Sequence, residues 1–270
     1  MGWTRHNARV TLHITTYGES GSPIVFCHGL FGQGRNWTTL AKALADEHRT
    51  VLVDLPHHGR SAWSERFDYI DVADQIDQML ADRFGEDDPV TLVGHSMGGK
   101  AVMVMALRAP ALVRRLCVVD IAPVDYRGRG EFAGFVEAMQ AVDLASLERR
   151  ADAEAALAEA VPDQSIRGFL LQNLRREGDS WRWQVNLDVL GRDLDVLGSW
   201  PADRLADLPP YEGPVLWIAG ADSRYVRSEH EAEMRRLFPR TRKVVVKDAG
   251  HWVHSQRPDV VVDVLRRLAE

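Results

Sequence analysis

Apolar residues follow two rhythms along this chain. Residues 23–27, 50–53, 90–93 and 116–120 form short, nearly all-apolar runs, the pattern of strands covered on both faces. Residues 10–15 alternate apolar and polar, as an outer antiparallel strand does. Between these runs, 37–47, 70–84 and 100–109 carry helical spacing. Strands interleaved with helices predict a parallel sheet built from right-handed crossovers. The alternation resumes with a strand at 215–219, a helix near 229–237, a strand at 243–246 and a closing helix at 258–268.

Between Asp120 and Val215 the rhythm breaks, over a gap far too long for one crossover. The gap holds an Ala/Glu-rich helical stretch at 151–160 and a second helical run at 166–176. The Trp181-Arg182-Trp183 pair follows, ahead of Asn186-Leu187. These features predict an inserted helical cap over 124–209, dividing an α/β core into 1–123 and 210–270. A cap over the C-terminal edge of a parallel sheet covers the place where such sheets bind ligands. No internal repeat is visible.

The totals narrow the class. The 270 residues suffice for one large α/β domain with an inserted subdomain. Hydrophobic residues at 45% and charged residues at 27% are ordinary for a globular chain. A net charge of −6 without a basic block makes nucleic acid and anionic membranes unexpected partners. No apolar run reaches the roughly 18 residues of a membrane span. Residues 1–10 carry Arg5, His6, Asn7 and Arg9 and no apolar signal region, so a cytoplasmic protein is expected. Cys27 and Cys117 both sit in apolar runs and read as buried free thiols, a disulfide between them being the alternative.

The strongest chemical signal is Gly94-His95-Ser96-Met97-Gly98, a G-x-S-x-G pattern between a strand-like and a helix-like run. A serine on such a turn is strained and pushed out of the sheet towards a base and a substrate. The hydroxyl needs a base to take its proton. His251 is that candidate, because it follows the last predicted strand and so stands at the same sheet edge as Ser96. His254 is expected to pack or cap, and His95 to orient the turn. The pairs His57-His58 and His251/His254 lack the carboxylate or cysteine pattern of zinc sites, so neither a metal nor a cofactor is expected. A developing oxyanion needs preorganised N–H groups. The backbone N–H groups of Met97 and of Leu30, in His28-Gly29-Leu30-Phe31-Gly32, are the candidates. Asp54-Leu55-Pro56-His57-His58-Gly59-Arg60-Ser61 is read as shaping the loop beneath the site. Phe31, Trp181 and Trp183 are expected to line a substrate pocket. Lys100 and Arg35 are candidates for meeting an anionic substrate, although a surface position is expected for both.

The chain resembles the α/β-hydrolase superfamily along essentially its full length. The resemblance rests on His28-Gly29, Asp54-Leu55-Pro56-x-x-Gly59-x-Ser61, Gly94-His95-Ser96-Met97-Gly98-Gly99 and Gly250-His251, in order and spacing. His28-Gly29-Leu30-Phe31-Gly32, Gly99-Lys100-Ala101-Val102-Met103 and Val119-Asp120-Ile121-Ala122-Pro123-Val124 narrow it further. They look like the small acyl esterases that include the bacterial esterase YbfF and the mammalian abhydrolase-domain protein 11. The resemblance implies an α/β-hydrolase fold: a mostly parallel sheet flanked by helices, with an inserted helical cap. It also implies hydrolysis of a carboxylic ester or an acyl thioester.

In most of the superfamily the acid partner lies in a Gly-x-x-Asp pattern after the cap. Here the corresponding segment reads Gly220-Ala221-Asp222-Ser223, which puts Ser223 at the usual place and Asp222 one residue early. Asp120, at the end of the preceding strand, is the carboxylate that the subgroup resemblance implies. Asp120 is preferred here, Asp222 is the alternative acid, and Ser223 is an auxiliary hydrogen-bonding group. The reading is a serine esterase acting through an acyl-enzyme on Ser96, with a small-molecule ester or thioester as its partner. Acyl transfer, C–C bond hydrolysis, cofactor-free perhydrolysis and a non-catalytic ligand receptor on the same fold are the alternatives. The oligomeric state is left open.

Overall fold

A computed structural model describes residues 12–126 and 130–269. Among these, seven strands form one sheet in the order β1-β3-β2-β4-β5-β8-β9. They are β1 (Ile14–Tyr17), β2 (Pro23–Cys27), β3 (Arg49–Val53), β4 (Val90–His95), β5 (Val113–Val119), β8 (Val215–Gly220) and β9 (Thr241–Val246). Strand β1 runs antiparallel to β3 and every other pairing is parallel. The first residues of the outer strand expected at 10–15 lie outside the described residues.

The all-apolar runs are explained by the two faces they feed, since successive strand residues point to opposite sides. Val25, Val51, Leu92 and Val118 pack on one face beneath α2 (Tyr69–Arg83) and α3 (Met97–Arg108). Ile24, Phe26, Leu52, Val93 and Val119 pack on the other, against α1 (Thr38–Leu44) and α12 (Pro258–Ala269). Cys27 belongs to the first face and Cys117 to the second. The sheet itself therefore separates the two thiols, and both are free and buried.

The segment between β5 and β8 holds α4 (Gly130–Gln140), α5 (Arg150–Leu157), α6 (Gln164–Leu171), α7 (Leu187–Arg192), α8 (Leu194–Gly198) and α9 (Ala202–Leu205). It also holds a hairpin that the helical reading of 166–176 missed. Helix α6 stops at Leu171, and β6 (Leu174–Glu177) pairs antiparallel with β7 (Ser180–Trp183). The cause is Gly178, which takes φ 59 in the tight turn between them, a conformation that glycine adopts without a Cβ penalty. Short elements elsewhere complete the core: α10 (Glu231–Leu237) after β8 and α11 (Val253–Gln256) after β9. Among the described residues no helix is long and apolar enough to cross a membrane.

Candidate active site

Adjacent strand ends bring the chemistry together. His95 pairs with Val119 across β4 and β5, so Ser96 and Asp120 leave the sheet side by side. Ser96 has φ 52 and ψ −118, a strained conformation for a residue with a side chain. Its N–H is held by the Val119 carbonyl at 3.0 Å. The turn closes so tightly that a Cβ on Gly98 would lie 2.4 Å from the His28 carbonyl oxygen, which is why that flank must be glycine. Helix α3 begins at Met97, and its first N–H groups lack intrahelical partners and form the positive end of the helix dipole.

His251 reaches Ser96 from the loop after β9. Its Nε2 lies 2.9 Å from Ser96 Oγ and its Nδ1 2.8 Å from Asp120 Oδ2. An ionised carboxylate only accepts hydrogen bonds, so Nδ1 carries the proton and Nε2 is the bare acceptor facing the hydroxyl. Asp120 is fully buried, at 0% exposure. Besides His251, it accepts the Gly220 N–H at 3.1 Å and the Ser223 hydroxyl. Ser223 Oγ in turn accepts the Tyr225 N–H at 3.2 Å, which aims its own proton at Asp120. Asp222 is exposed, and its backbone N–H goes to the Ala249 carbonyl at 3.0 Å. Of the two candidate acids, it is Asp120 that stands against His251. His95 donates from Nε2 to the His251 carbonyl at 2.8 Å and so braces the loop that carries it. His254 is buried and stacks on Trp37, with ring centroids 4.3 Å apart.

The loop after β2 is built around two neutral histidines. His28 donates from Nδ1 to the Gly29 carbonyl at 2.8 Å and accepts the Leu55 N–H on Nε2 at 2.9 Å. His58 donates from Nδ1 to the Pro56 carbonyl at 2.9 Å and accepts the Phe31 N–H on Nε2 at 3.2 Å. An imidazole that uses one nitrogen as donor and the other as acceptor is neutral. Burial enforces this, lowering His28 to about 4 and pushing His58 well below the usual histidine range. The Asp54–Ser61 stretch thus shapes the loop, as its sequence suggested.

A model of the alpha/beta hydrolase fold matches residues 22–258. The chain belongs to the α/β-hydrolase family. It is 40% identical to the mouse sn-1-specific diacylglycerol lipase ABHD11, over 92% of this chain and 81% of the mouse protein. It is 34% identical to the esterase YbfF of Escherichia coli, over 92% of this chain and 93% of that enzyme. Among solved structures, a marine microorganism esterase superimposes with a TM-score of 0.91 at 28% identity, covering 96% of this chain and 99% of that one. These matches support carboxylic ester hydrolysis and bear out the subgroup resemblance.

In this α/β hydrolase, Ser96 opens into a cavity of about 450 Å³. Leu30 and Met97 line it beside the serine, and Tyr69, Ile121, Tyr126, Phe132, Leu194, Leu197 and Tyr225 form most of its walls, with the charged Glu131, Arg224 and Arg227 completing the lining. Phe31, Trp181 and Trp183 are not among the lining residues, which corrects the expectation for all three. Phe31 is buried in the core. The Trp181 indole N–H donates to the Leu147 carbonyl at 2.9 Å and that of Trp183 to the Met139 carbonyl at 3.1 Å. Both indoles therefore tie the insertion to itself. Arg35 is exposed, as expected, and donates to the Gln172 carbonyl at 2.7 Å.

Lys100 overturns its surface expectation. It is 1% exposed and lines the cavity one helical turn beyond Ser96. Its Nζ donates to the carbonyls of Gly198 at 2.7 Å and Ser199 at 2.6 Å, and burial lowers the ammonium to about 7. The C-terminal end of α8 is a favourable place for a cation. The spacing of four from Ser96 along α3 was the signal for this position, because residues four apart share a helix face.

Proposed function

We propose that this α/β hydrolase cleaves a carboxylic ester or acyl thioester through an acyl-enzyme on Ser96. The observation that carries the reading is the continuous chain Ser96 Oγ, His251 and Asp120, with contacts of 2.9 Å and 2.8 Å, opening into a cavity whose walls are largely but not wholly apolar. His251 takes the proton as Ser96 Oγ attacks the carbonyl carbon. The carbonyl oxygen becomes an oxyanion and is met by the backbone N–H groups of Met97 and Leu30. Asp120 holds the imidazole in its tautomer and stabilises the imidazolium. His251 then returns the proton to the leaving alkoxide or thiolate. Water, deprotonated by the same nitrogen, releases the acid and restores Ser96. Every step uses protein groups and water.

Residues 124–209 act as a cap in this reading. Phe132, Leu194 and Leu197 wall the cavity from that segment, so acyl-chain length is set there. The two buried free thiols suit a reducing compartment, the cytoplasm. The test is a fluorophosphonate probe followed by peptide mass spectrometry, run alongside turnover of a short p-nitrophenyl ester. Labelling of Ser96 together with turnover is expected. Labelling without turnover of any ester or thioester would mean a receptor that has kept its triad, and label on another residue would refute the nucleophile.

A further inference from the structure

The insertion grips the loop that faces the oxyanion. In the Gly29–Gly32 turn, the Gly29 carbonyl accepts from the Gly32 N–H at 2.9 Å and from His28 Nδ1 at 2.8 Å. The peptide is trans, so a Gly29 carbonyl directed at His28 turns the Leu30 N–H the opposite way. The turn has an unusual occupant. Phe31 has φ 60, in the left-handed region where glycine is the low-cost residue and a bulky side chain is strained.

What holds Phe31 there comes from two directions. Its N–H is accepted by His58 Nε2 at 3.2 Å, from the loop after β3. Its carbonyl accepts from Asn173 Nδ2 at 2.8 Å and from Gln172 Nε2 at 3.1 Å, both from the turn after α6 in the insertion. Asn173 is 0% exposed. Its Oδ1 accepts from Gln33 Nε2 at 2.9 Å, and its Nδ2 also reaches the Leu170 carbonyl at 3.2 Å. Every polar atom of this buried amide is thus used, and its orientation is determined by its partners.

We infer that Asn173 is a positioning residue for the hydrolysis: by fixing the Phe31 carbonyl from the insertion, it keeps the Leu30 N–H aimed at the oxyanion. The inference rests on the reading of Leu30 as an oxyanion donor. Asn173 touches neither substrate nor Ser96 in this role. It acts on the tetrahedral intermediate and the transition states around it, because the ground-state ester carries no oxyanion.

The test uses Asn173→Asp and Asn173→Leu in the full chain. Asn173→Asp keeps the shape and the Gln33 contact but replaces the donor to Phe31 with an acceptor. Both variants should lose kcat on a short p-nitrophenyl ester by on the order of 10²-fold, the scale for one displaced oxyanion donor. KM should stay within about twofold, because ground-state binding is untouched. A trifluoromethyl ketone, which forms a tetrahedral oxyanion on Ser96, should lose affinity in proportion to kcat. A lower Tm with kcat and ketone affinity unchanged would show a merely structural role and overturn the inference. A backbone ester at Leu30, which removes that N–H and only weakens the Gly29 carbonyl as an acceptor, tests the underlying reading separately. If the ester leaves kcat unchanged, the oxyanion reading is what fails. If it costs kcat and the Asn173 variants do not, the inference about Asn173 fails by itself. Should neither Asn173 variant accumulate folded, Gln172→Leu, at a half-buried position, removes a second donor to the same carbonyl. It should lower kcat several-fold at constant KM, and an unchanged kcat there also overturns the inference.

Discussion

The sheet and the insertion treat difficult backbone in opposite ways. Among the described residues, the non-glycine residues with positive φ are Phe31, His57, Ser96, Asp120 and Asp248. Each lies just beyond the C-terminal end of a parallel strand: β2, β3, β4, β5 and β9 in turn. In the insertion, the positive φ values belong to Gly130 and Gly178, for which they carry little cost. Strain of about 1–3 kcal/mol per residue persists only where the surroundings over-determine it. The over-determination is visible at Phe31, His57, Ser96 and Asp120, which follow strands buried on both faces towards their C-terminal ends and each carry hydrogen bonds. The difference separates a rigid edge that sets the geometry of reaction from a relaxed segment that shapes the cavity. Asn173 is where the second reaches into the first.

The sharpest way to break that division is at Ser96. Ser96→Ala should abolish ester hydrolysis with Tm unchanged, because a small side chain still fits the turn, and His251→Ala should do the same to turnover. Substantial turnover in clean Ser96→Ala protein would sink the covalent mechanism. Ser96→Gly should be equally inactive yet more stable than Ser96→Ala by about 1 kcal/mol, since glycine relieves the strain at φ 52. Thermal melts of the two variants check this, and equal stability would mean that the elbow stores no strain.

Next in size is the acid. Asp120→Asn should lower kcat by on the order of 10⁴, because the amide favours the wrong imidazole tautomer and cannot stabilise the imidazolium. Asp222→Asn should cost little, as its side chain is exposed and its backbone alone joins the β9 loop. Ser223→Ala should fall between them through the loss of one hydrogen bond to Asp120. Steady-state rates for the three variants decide the order, and a crippled Asp222→Asn beside a near-normal Asp120→Asn would reverse the assignment.

The same division governs what was legible in the sequence. Strands buried on both faces announce themselves as apolar runs, so β2, β3, β4, β5 and β8 were readable. Ser96, His251 and the glycine loop were readable because tight turns and close approach demand particular residues. The acid was legible only as a choice, because a one-residue register decides it and Ser223 fills the place usually held by an aspartate. The cavity walls were not legible. Tyr69, Tyr126 and Tyr225 converge from three distant segments, and no periodicity links them. Trp181 and Trp183 were misread for a local reason: Trp-Arg-Trp beyond Gly178 is a strand alternation that puts both rings on one face of β7. That face turns towards the body of the insertion.

The insertion's own side of the comparison rests on those rings. Trp183→Ala should destabilise the protein by about 3–5 kcal/mol, the range for deleting a buried indole, and leave the preference among acyl chain lengths unchanged. Leu197→Ala, which enlarges the cavity wall, should instead extend that preference to longer chains. Denaturant melts and a p-nitrophenyl ester series from acetate to decanoate separate the two. A shifted profile in Trp183→Ala with an unshifted one in Leu197→Ala would restore the tryptophans to the pocket.

The smallest effect concerns acid. All ten histidines lie outside residues 121–214, and burial holds those around the site neutral: His28 at about 4, His254 at about 3, His58 and His95 well below the usual range. The folded pKa of each lies below its unfolded value near 6.5. The unfolded state therefore binds more protons than the folded one as pH falls from 6.5, and stability is lost progressively down to the folded pKa. Each such histidine contributes about 1.4 kcal/mol per pH unit to that loss. His254 is the cleanest to remove, since its Nδ1 has no hydrogen-bond partner and its ring stacks on Trp37. His254→Phe keeps the stack and deletes one proton from the balance. Its unfolding free energy between pH 6 and pH 4.5 should fall less steeply than the wild-type value by about that slope, with turnover at pH 8 retained. Hydrogen exchange over the same range should show protection lost in β4 and β5 at least as early as in α5 and α6. A parallel pH dependence in the two proteins would mean that His254 is protonated in the fold, and protection lost in the insertion alone would place the acid-sensitive region away from the histidine-bearing core.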